Sequence, residues 1–280
     1  MPARSVVTAR QARLGAELRK LRELAGWSIR EASEVTGIAQ TKLSMTEAGK
    51  VGVSAERVRQ LAVRYTCDDA ALVDALVSMA TERVRGWWEE YRGLVPSGYL
   101  DLAELEHHAR YLRTFEAVHI PGLLQTEDQV RAIFAASVPQ LSAEDVAARV
   151  RFRKQRQGVL DTLDYTAVVH EAALRIKAAD AKVARDQLVH ILEETERPNV
   201  AVHVIPFEVE GFVGIDTPLV CAGGPVAQLD TFLADTSYGG EFLDAEAQLN
   251  RYRGILQRME NVALGAVESK DFIHQLVQRM

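Results

Sequence analysis

Residues 28–49, running from Ser28 through Gly37 to Gly49, constrain the fold more than any other part of the chain. The pattern predicts two short helices joined by a sharp turn at Gly37, where a glycine relieves backbone strain. Ser28 is a strong N-cap, and Glu31 three residues on completes a capping box. Ala32, Val35, Ile38 and Leu43 are the apolar residues expected to fix the angle between the helices. The second helix then offers a polar face made of Gln40, Thr41, Lys42 and Ser44. That is the face a recognition helix presents to the major groove. A helical hairpin in an ordinary core would show the same turn, so the flanks decide. Leu14, Leu18, Leu21 and Leu24 recur at spacings of three and four before it. Val58, Leu61, Ala62 and Tyr65 mark another helix after it. Together they predict a compact helical unit with the turn at its centre.

Charge divides the chain in the same place. Residues 1–66 hold 12 Lys and Arg against 6 Asp and Glu, a net of +6, whereas the remainder carries −12. A basic segment on an acidic body suggests that the N-terminal part alone meets phosphate. No stretch is apolar enough to span a bilayer, and the first residues lack the apolar core of a secretory signal, so a cytoplasmic protein is expected. Cys67 and Cys221 lie far apart in dissimilar contexts and read as free thiols.

Three regions are expected: 1–66 as a mainly α helix-turn-helix domain, 67–95 as a helical connector, and 96–280 as an α+β domain with a small sheet. Residues 99–115 continue the helical pattern through Leu102, Leu105, His108, Ala109 and Leu112. Pro121-Gly122 marks a turn, and Thr126 is placed to cap a helix from Glu127. Helical patterns return over 127–136 and 142–160. The period then changes: residues 165–170 and 200–207 read as strands, with 171–196 helical between them. Residues 217–222 and 227–233 are further strand candidates, and 243–279 reads as amphipathic helix.

Other chemistry finds little support. The histidines are scattered, with no His-Glu-x-x-His and no Cys/His spacing suited to zinc. The glycines near 211–214 and 223–224 lack phosphate-loop spacing, and no nucleophile elbow is present. No enzyme and no cofactor are therefore expected; a cluster of perturbed carboxylates in a cleft would argue the other way. Trp87, Trp88 and Tyr91 suit either a domain-junction core or a candidate partner surface.

Residues 10–66 resemble the XRE (lambda-repressor-like) helix-turn-helix family. The region from about 85 to 275 is similar to the domain that follows this motif in actinobacterial WhiJ-like regulators. The strings Ile120-Pro121-Gly122-Leu123-Leu124-Gln125-Thr126 and Glu196-Arg197-Pro198-Asn199-Val200 carry much of that match. The resemblance implies an antitoxin-like transcription regulator that binds double-stranded DNA as a homodimer. It also implies a small BldB-like protein as a partner. It places Ala39, Gln40, Thr41 and Ser44 at base-facing positions, and Met45 where a longer polar reader can occur. Gln40 suits adenine N6 and N7, while the methyl groups of Ala39 and Thr41 suit a thymine methyl. Lys42 and Lys50 are placed for phosphate. Arg22 and Glu47 occupy the positions of a structural ion pair. Many family members carry Gln directly after the Ser28 position; here Ile29 stands there, so phosphate anchoring at that helix start falls to Ser28 and Arg30. An alternative gives the C-terminal domain a small-molecule pocket instead of a protein partner.

Overall fold

A computed structural model describes residues 7–82, 86–212, 217–236 and 239–280. The chain divides into two compact units: the residues up to Gly86 together with Val226–Leu229, and Trp87–Pro225 together with Asp230–Met280.

Unit 1 is helical, with α1 (Ala9–Leu24), α2 (Ile29–Thr36), α3 (Gln40–Glu47), α4 (Ala55–Arg64) and α5 (Ala70–Thr81). Thr8, Ser28, Ser54 and Asp69 cap α1, α2, α4 and α5 with side-chain oxygens. These bonds satisfy amides that a helix start otherwise leaves orphaned. One core holds the helices together, built from Leu14, Leu18, Leu21, Ala32, Ile38, Leu43, Val58 and Leu61, with Leu72 and Leu76 from α5. The stretch read as a connector is therefore shared. Its α5 packs into unit 1, and its aromatic end lies in unit 2. Two apolar residues expected in the core lie outside it. Leu24 is 76% exposed and Val35 44%. Each sits in its helix's last turn, where the 100° advance per residue has carried it off the buried stripe.

Unit 2 opens with α6 (Ser97–His108) and is built on a six-stranded sheet in the order β3-β2-β1-β4-β5-β6. The strands are β1 (Tyr111–Glu116), β2 (Asp164–His170), β3 (Val200–Ile205), β4 (Leu219–Gly223), β5 (Thr231–Thr236) and β6 (Gly239–Leu243). The first three run parallel; β4, β5 and β6 form an antiparallel meander. Parallel neighbours need crossovers. These are α7 (Glu127–Ala135) with α8 (Ala143–Gln157), then α9 (Glu171–Arg175) with α10 (Ala181–Glu194). Residues of β1, β2 and β3 such as Leu112, Tyr165, Ala167 and Val202 bury one face with Leu124, Leu188 and Ile191. Phe115, Val168, Cys221 and Phe232 bury the other with Leu249, Leu256 and Met259 of α11 (Glu246–Val262). A last helix, α12 (Ala266–Gln278), adds Ile273 and Leu276 to the first core.

The α+β class stands, and several element boundaries move. The helix expected over 99–115 stops at His108, and Tyr111–Glu116 is the strand joining the parallel and antiparallel halves. Its buried α6 stripe is Leu100, Ala103 and Glu106, not the Leu102–Leu105–His108 series. Residues 227–229 form a 3-10 turn rather than a strand start, and β6 had no sequence signal of its own. The segment 171–196 breaks before Asp180, which caps α10, and 243–279 breaks at Ala263. The second break covers the sheet's edge. Leu264 N donates to Val204 O at 2.8 Å, and Val204 N donates to Ser269 Oγ at 2.9 Å.

Candidate nucleic-acid interface

The turn forms as its residues dictate. Gly37 ends α2 in the left-handed conformation, φ +68°, with its N–H donating to Ser33 O. Ser28 Oγ accepts from Glu31 N at 3.2 Å, and Glu31 Oε2 accepts from Ser28 N at 2.8 Å. Ser28 Oγ still has its own proton to donate outward.

Helix α3 turns Leu43 and Thr46 into the core and leaves Gln40, Thr41, Lys42 and Ser44 exposed. Ala39 at its N-cap is also exposed, as is Lys50 beyond its end, while Met45 is half-buried. The side chains of Gln40, Thr41, Lys42 and Ser44 make no hydrogen bond among the described residues. Helix α3 is also the one described helix of unit 1 without a side-chain cap. Its first N–H groups are thus open at the end that a reading helix points at DNA. Arg30 is exposed in a loose pair with Glu34 at 3.9 Å, which leaves it free to exchange partners.

The scaffold behind α3 is rigid. Arg22 Nε and Nη2 donate to Glu47 Oε1 and Oε2 at 2.7 and 2.9 Å. Its Nη1 donates to Trp27 O at 2.6 Å, so one buried guanidinium ties α1 to α3 and to the start of α2. Its hydrogen bonds to the Glu47 carboxylate raise the guanidinium's already high pKa. Tyr65 packs edge-on against Trp27 at 5.6 Å, and burial with the nearby Glu47 charge pushes its hydroxyl up to about 12. A side chain at Gly15 would strike the backbone carbonyl of Glu47, so α1 crosses the end of α3 at the closest distance a helix allows.

Sequence reasoning missed a neighbour of this face. A cleft of about 200 Å³ lies between α3 and α4, lined by Lys42, Thr46, Gly52, Ser54 and Arg57 among others. Lys42 and Arg57 thus bring two cations to one concavity at the capped start of α4. The signal was present in the Ser54–Arg57 helix start, read only as the next helix.

The aromatic trio belongs elsewhere. Trp88 is 3% exposed, and Trp87 and Tyr91 are half-buried against Phe152, with ring centroids 5.2 Å away for each. With Leu100 and Ala103 they form a small core of unit 2. This corrects the partner-surface reading for Trp88, because an interface anchor must reach solvent before its partner arrives.

Unit 2 holds the strongly perturbed acids. Burial pushes Glu106 up to about 7, against the pull of Arg156 3.0 Å away. Burial and the Asp235 charge push Glu116 up to about 8. Among the described residues, no group of three His, Cys, Asp or Glu side chains is arranged to hold a metal ion, and no helix is long and apolar enough to cross a membrane.

Residues 13–76 match the helix-turn-helix domain family, which supports an XRE-like DNA-binding regulator. Residues 99–275 match a domain of unknown function, DUF5753. No curated protein and no solved structure matches the chain. With that domain spanning more than half of its length behind a helix-turn-helix, the chain belongs to the DUF5753 family.

Proposed function

We propose that this DNA-binding regulator is a sequence-specific transcription factor that grips its operator as a dimer. The observation that carries the reading is the exposed, unpartnered row Gln40, Thr41 and Ser44 on an uncapped α3. Gln40 reads adenine through its amide, and Ala39 and Thr41 offer methyl groups to thymine. Lys42, Lys50 and Arg57 take phosphates, with Ser28 and Arg30 at the start of α2. Met45, half-buried, contributes apolar contact at most. One such motif covers only a half-site, so two copies about 34 Å apart supply useful affinity. Unit 2 has a binding task and no catalytic one. As in the WhiJ-like, antitoxin-like regulators that the chain resembles, it pairs the copies and receives a small BldB-like protein.

A second reading makes unit 2 the sensor of a small molecule. Arg149 and Arg153 of α8, partly exposed and in no ion pair among the described residues, favour it, since guanidinium forks hold a small oxyanion.

The test is binding of the purified protein to DNA from upstream of its own gene, over a salt series. Gln40→Ala is expected to cost about 1–3 kcal/mol and to relax the sequence preference at one position. Lys42→Ala is expected to weaken all sequences alike and to lower the salt slope by about 1. Equal losses on specific and random DNA for Gln40→Ala would sink the assignment of α3 as the reader.

A further inference from the structure

Three arginines, Arg149, Arg153 and Arg156, recur along the inner side of α8 at spacings of four and three. One of them has a carboxylate: Arg156 lies 3.0 Å from Glu106. Among the described residues Arg149 and Arg153 form no ion pair. Arg149 stacks its guanidinium over Phe134 and Tyr99, at 5.6 and 6.0 Å from the ring centroids, and its Nε is buried without a hydrogen-bond partner. Arg153 lies over Phe134 at 5.4 Å, and its Nη1 donates to Gln125 Oε1 at 2.8 Å. Gln125 itself is fixed by its donation to Ile120 O at 2.7 Å, so the Ile-Pro-Gly-Leu-Leu-Gln turn serves as a mount for Arg153. Gly122 of that turn admits both guanidinia; a Cβ there would sit 2.7 Å from Arg153 Nη1 and from Arg156 Nη2. Burial and the Arg156 charge pull Arg153 down to about 10, against the opposing pull of Tyr99, Glu106 and Glu116.

Two acids act electrostatically on Arg153, Glu106, which is paired with Arg156, and Glu116. Glu116, the last residue of β1, has a buried Oε2 with no partner. It pairs with neither arginine. β1 is also where the sheet changes from parallel to antiparallel neighbours, and ligands of such sheets gather beyond the carboxyl ends of the strands. Arg149 and Arg153 keep part of their surface exposed, so an anion arriving from solvent can reach them. The guanidinium fork matches a planar or tetrahedral oxyanion and presents its donors in pairs.

We propose that Arg149 and Arg153 are the receptor for the anionic group, a carboxylate or a phosphate, of a small effector bound within unit 2. The site deepens the sensor reading of that unit. Its occupation is tested by binding alone, and its effect on operator affinity is a separate measurement, so either can fail without the other.

The experiment follows the thermal unfolding of the full chain in rising inorganic phosphate, or in rising acetate, against chloride at matched ionic strength. A saturable rise is expected, about 5 °C at a hundredfold excess over Kd. A response to phosphate alone identifies a phosphorylated effector, and a response to acetate alone a carboxylic acid. Arg149→Met and Arg153→Met are each expected to abolish the rise, while Tm in chloride stays level or increases because an uncompensated charge has gone. Arg149→Lys keeps the charge without the fork and is expected to bind at least tenfold more weakly. The proposal is overturned if neither anion gives a saturable rise, or if both Met variants retain it. It is equally overturned if both variants lower Tm in chloride by several degrees, which marks the arginines as parts of the core.

Discussion

At the scale of residues, the helix-turn-helix separates reading from holding. Gln40, Thr41 and Ser44 make no side-chain hydrogen bond within the fold, whereas Arg22, largely buried, and Glu47 face each other. Glu47→Ala is expected to cost about 3–5 kcal/mol, because it strands the Arg22 guanidinium in the core. Denaturant unfolding checks this, and a loss below 1 kcal/mol would mean that water replaces the carboxylate. The reading half was visible in residue types, a polar amide and hydroxyls on one face, whereas the pair of Arg22 and Glu47 was expected only from the family resemblance. The cleft shared by Lys42 and Arg57 was not visible, since fifteen residues separate two side chains that only the packing of α4 brings together. In unit 2, Glu106 and Glu116 titrate above the ordinary carboxylate range. An acid with a raised native pKa keeps its proton in the fold. Its contribution is full below about 4.5 and disappears as pH climbs through its folded value, about 8 for Glu116. Tm is therefore expected to decline between pH 5 and 8, and Glu116→Gln to flatten that decline. An unchanged profile would show that Glu116 titrates as an exposed acid does.

Elements were legible where local signals were complete. α2 lies between a capping box and a left-handed glycine, and Thr126 caps α7 as its position predicted. β1 was hidden because Leu112 continues the spacing of the helix before it, while alternate burial of its residues depends on neighbours far away in sequence. Its partners are residues 164–169 on one side and 219–223 on the other. The specific string ending in Gln125-Thr126 is explained only by tertiary bonds. Gln187 Oε1 accepts from Thr126 N at 2.8 Å, and its Nε2 donates to Leu124 O at 2.6 Å. Gln187→Leu preserves volume and orphans two buried backbone groups, so a loss of about 2–4 kcal/mol is expected in urea unfolding. A neutral result would show that the turn finds other partners.

At the scale of the molecule, charge asymmetry and the two-unit division describe the same protein. The basic segment, +6 over residues 1–66, belongs to the helical unit, and the acidic remainder largely to the sheet unit. If each half-site contacts phosphate through Lys42, Lys50 and Arg57, a dimer neutralises six phosphates. The slope of log affinity against log salt is then about −5. A slope near half that value would identify a single copy on DNA. Hydrogen exchange in the complex with specific DNA adds a spatial check: amides of α3 gain protection, and those of β1 keep their free-state rates.

The sequence alone determined whatever depends on near neighbours along the chain: the turn at Gly37, the caps, the polar face of α3, strands expected over 165–170 and 200–207, and the basic bias of one end. These follow from backbone geometry and periodicity, which act over a few residues. Tertiary structure decided what depends on chain segments meeting. It made residues 111–116 the central strand, split the proposed connector between two cores, and buried Trp88 in a small core with Leu100 and Ala103. It also aligned Arg149 and Arg153 over Phe134 with no carboxylate to meet them. Burial and pairing are properties of three-dimensional neighbourhoods. No periodicity in α8 distinguishes an arginine bound for solvent from one bound for the interior.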